Sequence, residues 1–246
     1  MSDKWLEGRV VENRHWTESL FSLRVEGVAL SFQAGQFVRI ALDVGSERVA
    51  RAFSLVNPPH DPVLEFYGIV VPEGLLSPPL EKLSPGERLF VARNPAGFLV
   101  LSEVRDAETL WLMATGTGLA PFLSILRTET PWQRFRNVVL VHAARFSREL
   151  TYRETIDELR QRRGLKYVSF VSREAAAGSL AGRIPAAVAD GRLEAAAGLE
   201  LASDSSQVML CGNPDMLKDT TAALAQRGMR KHRRRAPGHI TVESFW

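Results

Sequence analysis

The chain has 246 residues, of which 45% are hydrophobic and 24% are charged, and its formal net charge at pH 7 is +3. This composition is typical of a globular protein with room for two modest domains or one large one. The single cysteine excludes an internal disulfide framework, a four-cysteine zinc site and a cysteine-ligated iron–sulfur cluster. The apolar runs are too short to span a membrane, and the opening MSDKWLEGRV lacks the apolar core of a secretory signal. We therefore expect a cytoplasmic protein without a metal site or a membrane partner.

The first hundred residues consist of short β-rich segments. Six of these are rich in Val, Ile, Leu and Phe and are candidate strands: GRVVENRHW, LFSLRVEG, QFVRIALD, RAFSLVNP, LEFYGIVV and ERLFVARN. Gly, Pro, Asn and Asp separate them, as in QAGQ, NPPHDP and SPGE. Short strands at this spacing predict a closed or nearly closed antiparallel β-barrel.

Two stretches of this half are candidates for ligand binding. RAFS, at 51–54, lies in a predicted strand, where alternation places its Arg and Phe on one face and its Ala and Ser on the other. On its own, Phe53 is more often a core residue than a platform for a cofactor. Further on, Gly74 and Ser77 precede a short helix with Pro at its start, which is a candidate anion site with Arg51 as a counter-charge.

The second half of the chain alternates between apolar strands and helical patterns. The predicted strands are TLWLMAT, VVLVHAA, YVSFVSR, VMLCGN and ITVES. The clearest helical pattern covers residues 149–163, and another helix is expected after Asn213–Pro214. This alternation predicts a mostly parallel sheet that binds ligands at the carboxyl ends of its strands. The sequence thus predicts two domains, residues 1–101 and 102–246.

A glycine-rich turn follows the first of these strands, in MATGTGLAPF at 113–122. Its glycines allow the backbone to approach a ligand, and the helix that we expect Pro121 to open would present free N–H groups to an anion. The turn is not the Rossmann G-x-G-x-x-G pattern, because Ala120–Pro121 stands where that pattern continues. Ordinary turn chemistry explains such a sequence about as often as a ligand site does.

Three arginines are expected near the carboxyl ends of the parallel strands. Arg145 follows VHAA, Ser172 and Arg173 follow SFV, and Arg183 lies in AGSLAGRIP. One arginine at a strand end is usually a solvated charge, but three near one edge suit a phosphate, which guanidinium groups bind through paired hydrogen bonds. The cluster favours NADP over NAD.

The region from 207 onward adds two features. Cys211 ends the strand VMLC, where it is either a small buried hydrophobe or a side chain against a ligand; no nearby base supports thiol catalysis. Residues 227–239, RGMRKHRRRAPGH, contain six Lys or Arg and no acid. This run is either solvated surface or a patch for an acidic protein. Nucleic acid is disfavoured, because no aromatic residues are interleaved with the basic ones.

Four of these stretches resemble the ferredoxin–NADP reductase family, in its short bacterial ferredoxin/flavodoxin form, over nearly the whole chain. RAFS resembles the family's R-x-Y/F-S/T flavin motif, ATGTGLAPF its G-T-G-x-x-P turn, CGNPDM its C-G-x-P-x-M strand end, and VESFW its aromatic C-terminus. Many members have Tyr where this chain has Phe53, which removes a hydroxyl but leaves the stacking face. The resemblance implies a six-stranded antiparallel barrel that binds FAD, followed by an α/β domain that binds NADP(H).

The resemblance also implies the residues that bind the two cofactors. Those implied for FAD are Arg51, Ala52, Phe53, Ser54, Tyr67, Gly68, Ile69, Val70, Leu75, Leu76 and Ser77. Thr117 would lie near the flavin, and those implied for NADP(H) are Ala144, Arg145, Ser172, Arg173, Arg183, Asn213, Pro214 and Asp215. Phe245 or Trp246 would cover the flavin ring or its adenine opposite Phe53, unless the two aromatics cap a core edge instead.

The implied reaction is hydride transfer between NADPH and FAD, followed by single-electron transfer to ferredoxin or flavodoxin. Ser54, Cys211 and Glu243 are the implied catalytic residues: Ser54 near flavin N5, Cys211 against the nicotinamide, and Glu243 in charge or proton support, although Glu243 could equally be a surface acid. The acidic carrier would dock on the basic run 227–239 with Arg48 and Arg93. The alternatives are an NAD(P)H-dependent flavin or cytochrome reductase of the same fold, a non-catalytic subunit, and a nucleic-acid-binding protein. We expect a monomer.

Overall fold

The computed structural model describes residues 4–244, so Phe245 and Trp246 lie outside the described residues. The first part of the chain forms six strands: β1 (Trp5–His15), β2 (Leu20–Glu26), β3 (Phe37–Val44), β4 (Glu47–Ser54), β5 (Leu64–Ile69) and β6 (Arg88–Ala92). A short helix, α1 (Ser77–Glu81), connects β5 to β6. Each strand overlaps one of the six predicted segments, which confirms that the Gly and Pro breaks had divided the sequence correctly.

These strands form one antiparallel sheet in the order β4-β3-β6-β1-β2-β5. The sheet curls until its two edges meet just beyond β4, where Leu55 and Phe66 form a bridge and the N–H of Val56 donates to the carbonyl of Glu65 at 2.8 Å. Apolar side chains of all six strands fill the inside of the curl. The prediction of a closed or nearly closed antiparallel barrel is confirmed.

The second part of the chain forms a six-stranded parallel sheet in the order β10-β9-β8-β7-β11-β12. Its strands are β7 (Thr109–Thr115), β8 (Asn137–Ala144), β9 (Lys166–Val171), β10 (Leu180–Ala181), β11 (Ser206–Gly212) and β12 (Ile240–Ser244). Its helices are α2 (Leu119–Leu126), α3 (Thr130–Arg134), α4 (Arg153–Arg163), α5 (Ile184–Ala189), α6 (Arg192–Ala197) and α7 (Pro214–Ala225). The predicted α/β domain with a parallel sheet is confirmed. The predicted boundary after residue 101 falls in the connection between β6 and β7 and stays a prediction.

Helices cover both faces of the parallel sheet, which is why its strands are apolar on both sides. Helices α5, α6 and α7 pack on one face. Helices α2 and α4 pack on the other face, and this second core also includes Leu20 and Tyr67 of the barrel. The two domains therefore share a continuous apolar core, and the carboxyl ends of the parallel strands face the barrel side of this junction.

The predicted helix over 149–163 was wrong at its start, because α4 begins at Arg153. A 3-10 turn comes first, and in it the Glu149 carboxylate accepts the backbone N–H groups of Arg145, at 2.9 Å, and of the residue after it, at 3.2 Å. Tyr152 then has φ 55° and ψ 28°, in the left-handed region that interrupts a right-handed helix. The apolar pattern continues through these residues, but the backbone is not helical there.

The positions of Pro121 and Pro214 predicted the starts of two other helices. Helix α2 begins at Leu119, two residues before Pro121, which the first turn of a helix tolerates. Helix α7 begins as predicted, and Asn213 caps it by accepting the N–H of Asp215 at 2.9 Å and of Met216 at 3.2 Å. No helix within residues 4–244 combines the length and the hydropathy needed to cross a bilayer.

Candidate functional site

A cleft of about 520 Å³ lies where the carboxyl ends of the parallel strands meet the barrel. Leu20 of β2 and Ile69 of β5 form its barrel side. The opposite side is formed by the turns that follow β7, β8, β9 and β11, and nine of the predicted cofactor residues line the cleft: Ile69, Thr117, Ala144, Arg145, Ser172, Arg173, Arg183, Asn213 and Asp215. Pro214 is not among the lining residues and begins α7. The cleft therefore brings together the residues predicted for NADP(H).

Gly116 and Gly212 line the cleft, between the side chains of Thr115, Thr117 and Asn213. Gly116 has φ 53°, and a Cβ on Gly118 would collide with the carbonyl oxygen of Cys211. The hydroxyl of Thr115 accepts the N–H of Asn213 at 2.9 Å and so ties the turn after β7 to the turn after β11. At Gly116, where an added Cβ would meet nothing within 4 Å, a ligand can approach the main chain closely.

The predicted arginines line one end of the cleft. The backbone N–H of Arg173 donates to the carbonyl of Arg145 at 2.9 Å, so the segments that carry these two guanidiniums are held side by side. Arg183 comes from the loop after β10. Arg145 also lies 3.6 Å from Glu149, but the side chains of all three arginines are exposed. Exposed guanidiniums at one end of a cleft can bind a phosphate group.

The two carboxylates next to these arginines are already engaged. Glu149 is bonded to backbone N–H groups of its own turn. Glu174, which directly follows Arg173 and to which the sequence interpretation gave no role, accepts the N–H of Ser147 at 2.6 Å. Hydrogen bonding from Ser147, first from its side chain and then from its backbone N–H, lowers the pKa of Glu174. Both carboxylates therefore help to order the turns that carry the arginines.

The RAFS motif ends β4 next to β5. The half-buried ring of Phe53 meets Phe66 edge-on, with the ring centroids 6.5 Å apart. It also lies over Gly68, where an added Cβ would be 2.9 Å from the ring. Ser54 is buried, and its hydroxyl has no hydrogen-bond partner within residues 4–244. A buried polar group without a partner is costly, so this hydroxyl fits a ligand that would satisfy it.

The other predicted FAD residues lie along β5 and α1 or next to them. Ser77 begins α1, and its hydroxyl accepts the N–H of Val71 at 2.9 Å, so the hydroxyl itself is used internally. Leu76 is buried, whereas Leu75 is 62% exposed. Pro78 and Pro79 have no N–H, and the N–H of Leu80 donates to the carbonyl of Leu76 at 3.0 Å, so the first turn of α1 leaves only the N–H of Ser77 as a backbone donor. The Arg51 guanidinium donates to the neighbouring Ala50 carbonyl. Ala52 lies in β4 near its end, and Val70 directly follows β5.

Tyr67 is placed differently from the expectation that its side chain lies along a flavin. Its ring is buried at the junction with the second domain, and its hydroxyl accepts a hydrogen bond from Thr151 at 2.8 Å. Burial raises the pKa of Tyr67, so the phenol stays protonated. Because strand residues alternate between faces, Tyr67 and its neighbour Gly68 point to opposite sides of β5.

Cys211 and Glu243 are direct neighbours across β11 and β12. Burial raises the pKa of the Cys211 thiol well above its usual range, with a smaller contribution from Glu243, so the thiol is not a nucleophile. Burial also raises the pKa of Glu243 to about 7, although a backbone hydrogen bond at Phe98 opposes this shift. One carboxylate oxygen of Glu243 has no hydrogen-bond partner among the described residues. Glu243 is thus an acid that can change protonation near neutral pH.

A path of contacts links Glu243 to Ser54. An added Cβ on Gly97 would be 2.7 Å from the Glu243 carboxylate and 3.0 Å from the Phe37 ring. Phe37 pairs with Ser54 across β3 and β4. Gly97 and Phe37 therefore lie between the Glu243 carboxylate and the strand pair that carries Ser54.

The basic run beside this junction divides into two parts. Arg227 is internal: it donates to the carbonyl of Val188 at 2.5 Å and contacts Glu194, so it does not belong to a docking surface. Arg230, Lys231, Arg233, Arg234 and Arg235 are exposed and form what we call the basic loop. Arg234 donates to Glu103 at 2.9 Å and lies 4.0 Å over the ring of Phe98, which is 59% exposed.

Arg48, which the sequence interpretation assigned to the docking surface, makes contacts within the barrel. The guanidinium of Arg48 is held by Asp43 at 2.8 Å and stacks 3.5 Å over Phe90, so it is committed to the barrel. His142 is buried on β8, with the backbone of Gly116 beside its ring. Burial lowers its pKa to about 4, so His142 is neutral at pH 7. The described residues contain no cluster of His, Cys, Asp or Glu fit to hold a metal ion.

Comparison with known proteins agrees with this geometry. Residues 112–222 match the family described as oxidoreductase NAD-binding domain. The whole chain is similar to the flavodoxin/ferredoxin–NADP reductase of Escherichia coli (strain K12): the two are 49% identical over 245 residues, which cover 98% of this chain and 99% of the relative. The chain belongs to the flavodoxin/ferredoxin–NADP reductase family. The corresponding protein of Shigella flexneri is 50% identical over the same shares.

Solved structures extend the comparison to the fold. A ferredoxin–NADP⁺ reductase from Neisseria gonorrhoeae, crystallised with bound FAD and NADP, superposes with a TM-score of 0.95 at 32% identity, over 100% of both chains. A cytochrome P450 reductase from Amycolatopsis superposes with a TM-score of 0.81 at 25% identity, over 98% of this chain and 70% of that one. Reductases with different acceptors thus share this architecture, and the residues at the site must decide the acceptor.

Proposed function

We propose that the protein transfers a hydride between NADP(H) and a bound FAD and exchanges single electrons with ferredoxin or flavodoxin. The observation that carries this proposal is the cleft, which runs from an exposed arginine cluster to β5, next to the strand that presents Phe53 and Ser54. The full-length similarity to reductases named for the same reaction supports it. A cytoplasmic location and a monomeric state stay predictions.

The residues present at the barrel fit FAD. Phe53 over Gly68 offers a flat apolar surface, and Ser54 offers a buried hydroxyl without a partner. The FAD would lie along the ends of β4 and β5, with its pyrophosphate at the turn before α1, near the backbone of Leu75–Ser77 and the Arg51 side chain. Bound FAD supplies the conversion between two-electron hydride chemistry and one-electron transfer, which no side chain can perform.

The chain's own residues position the reactants and handle the proton. Ser54 would donate a hydrogen bond near the reactive edge of the isoalloxazine. Cys211, which stays protonated, would pack against the nicotinamide as a small polarizable surface. Glu243 would hold or release a proton at that edge, since its pKa of about 7 makes both protonation states accessible.

The second domain would bind the phosphorylated nicotinamide. Thr117 and the glycine-rich turn after β7 would face the nicotinamide end, while Arg145, Arg173 and Arg183 would bind the 2′-phosphate. Ser172 directly precedes Arg173, and its hydroxyl would donate to the same phosphate. Ala144, whose carbonyl accepts the N–H of Ser172, would face the adenosine. Asn213, Pro214 and Asp215 would border the rest of the dinucleotide at the start of α7.

The aromatic tail would complete the site. Strand β12 ends at Ser244, which pairs with Gly212 at the carboxyl edge of the sheet, so the chain leaves the sheet beside the cleft. We propose that Phe245 or Trp246 then covers the flavin ring or its adenine from the side opposite Phe53. An aromatic ring there would exclude water from the hydride-transfer site.

An absorbance spectrum of the purified protein tests the proposed function. The preparation is expected to be yellow, or to become so after addition of FAD and gel filtration, and to bleach when NADPH is added without oxygen. Ferredoxin or flavodoxin should then restore the oxidised spectrum. A protein that retains no FAD, or whose flavin NADPH does not reduce, would refute the proposal.

The basic loop is the proposed docking surface for the acidic carrier. Arg234 of this loop stacks on Phe98, whose exposed ring follows Gly97 in the chain and hence lies near Glu243. Arg93 of the barrel stays a predicted contributor, whereas Arg48 and Arg227 are excluded by their internal contacts. An exposed aromatic ring beside a basic loop suits a small acidic protein that must approach closely.

Reversing two charges of the basic loop tests this surface. Arg233→Glu with Arg235→Glu is expected to raise the KM for the carrier about tenfold at low ionic strength, and salt should reduce the difference between variant and wild type. Reduction of ferricyanide, a small acceptor that needs no docking surface, should not change. Arg160→Glu with Arg162→Glu on α4 is the matched control, because it changes the net charge equally elsewhere. An equal effect of both pairs would show that only the overall charge matters.

A further inference from the structure

A hydrogen-bonded chain of buried side chains crosses the junction between the two domains. Trp16 Nε1 donates to Ser22 Oγ at 2.6 Å, and Ser22 Oγ lies 2.6 Å from the hydroxyl of Tyr152. The Tyr152 hydroxyl donates to Glu65 Oε1 at 2.9 Å, and Arg127 Nη1 donates to Glu65 Oε2 at 3.0 Å. With Ser22 as donor to Tyr152, each of the two hydroxyls along this chain both accepts and donates a hydrogen bond. Tyr152 is the link that joins the barrel's Trp16–Ser22 pair to the ion pair between the domains.

The backbone of Tyr152 indicates that the side chain is held in place. Its φ of 55° is in the left-handed region, and Tyr152 is the only residue other than Gly with a positive φ among residues 4–244. The ring is 4% exposed and packs against Trp16, with the centroids 4.6 Å apart, and edge-on against Tyr67 at 5.3 Å. Thr151 adds a second hydrogen bond across the junction, to Tyr67. A strained conformation persists where the surrounding contacts require it.

On the barrel side, this network lies next to the cofactor cleft. Ser22 pairs with Tyr67 across β2 and β5, and Leu20 pairs with Ile69 two residues further along the same strands. Residues two apart on a strand share a face, so the Leu20–Ile69 pair that lines the cleft continues the face that carries the network. A shift at Tyr152 would therefore move the barrel wall of the cleft relative to the second domain.

On the other side, the network lies close in sequence to the phosphate-binding end. Arg145 and Glu149 lie a few residues before Thr151, and the Glu149 carboxylate accepts the N–H of Arg145. Arg145 and Glu149 both line the cleft.

Hydride transfer requires the donor and acceptor atoms in near-contact, and a displacement of about 1 Å can reduce the rate about a hundredfold. We propose that Tyr152 is a positioning residue that sets the spacing between the flavin-binding barrel and the nicotinamide-binding domain. This inference rests on the proposed function.

Tyr152→Phe tests the role, because it removes the hydroxyl and keeps the ring. In anaerobic stopped-flow reduction of the FAD-loaded protein, the limiting rate at saturating NADPH is expected to fall about tenfold. The Kd for NADPH and the FAD content should be unchanged, since the residues that contact the cofactors remain. A weakened fold would instead lower FAD retention and affinity together.

Two comparisons separate positioning from a general loss of packing. Tyr167→Phe is the matched control, because Tyr167 is another buried phenol beside α4, and its hydroxyl makes no hydrogen bond to the barrel; its reduction rate should equal that of the wild type. Ser22→Ala breaks the same chain from the barrel side. The double variant Tyr152→Phe with Ser22→Ala should lose no more than the larger single effect. Additive losses would contradict a single connected network.

Amide hydrogen exchange gives a readout that does not depend on turnover. In Tyr152→Phe without NADPH, exchange should accelerate in β2, β5 and residues 145–152 and stay at the wild-type rate in the rest of the barrel. If Tyr152→Phe is reduced at the wild-type rate, or exchanges like the wild type, the positioning role is wrong. If the wild-type protein itself is not reduced by NADPH, the proposed function fails instead.

Discussion

Replacing Arg145, Arg173 and Arg183 together with Gln is expected to abolish the preference for NADPH over NADH. Each guanidinium would make charge-assisted hydrogen bonds to the 2′-phosphate, which contribute about 1.5–3 kcal/mol each. One substitution should therefore raise the Kd for NADPH about ten- to a hundredfold, and the triple change by about a thousandfold, since the contributions of neighbouring groups are not additive. NADH lacks the phosphate, so its Kd should change little. Titration of both nucleotides, followed by the flavin absorbance, measures the two affinities.

Arg148 provides the control for this experiment. It lies in the same turn as Arg145 and is exposed, but its guanidinium lies 5.1 Å from the ring of Phe146 and does not line the cleft. Arg148→Gln removes one positive charge, as each of the single substitutions does, and should leave the selectivity intact. Equal losses for NADH and NADPH in the triple variant would mean that the arginines bind the shared pyrophosphate. A wild-type preference for NADH would instead favour a flavin or cytochrome reductase of the same fold.

The sequence predicted the architecture well because its signals are local. Gly and Pro breaks separate the barrel strands, and unbroken apolar runs mark the buried parallel strands, so the six barrel strands and five of the six parallel strands were found. Strand β10 has two residues, which is too short to produce a pattern. Helices α5 and α6 come from Ala-rich stretches whose alternation is weak. The start of α4 was missed because the Glu149 side chain and the Tyr152 backbone decide it.

The site was predictable where a fold rule applies and unpredictable where distant segments meet. Strand ends converge in any parallel sheet, so Arg145 and Arg173 were expected at one edge and lie there. The network through Tyr152 was not predicted, because Glu65 and Tyr152 are 87 residues apart and no local pattern pairs them. Likewise, the protonation of Glu243 depends on burial beside Cys211, a property of the assembled sheet.

Glu243→Gln is expected to remove a titration near pH 7 from both activity and stability. The native pKa of about 7 lies above the ordinary carboxyl value of 4.5, so the folded protein binds more protons than the unfolded chain between these pH values. Stability therefore falls as pH rises through this window. Above pH 7 the ionised, buried carboxylate costs up to about 3 kcal/mol. Glutamine cannot ionise, so the variant should unfold like the wild type at pH 4 and resist urea better at pH 8.

The effect on turnover should have the opposite sign, which separates catalysis from stability. If protonated Glu243 supplies a proton at the flavin edge, the wild-type rate declines above pH 7, and Glu243→Gln lowers the rate about a hundredfold below pH 7, with no inflection near 7 and a smaller difference from the wild type at higher pH. Glu108→Gln, in which an exposed carboxylate paired with Arg136 is lost, should change neither profile. A variant that is both more stable at pH 8 and slower would identify a group whose burial serves the reaction at the expense of the fold. A variant as fast as the wild type would leave Glu243 as a buried acid without a role in proton transfer.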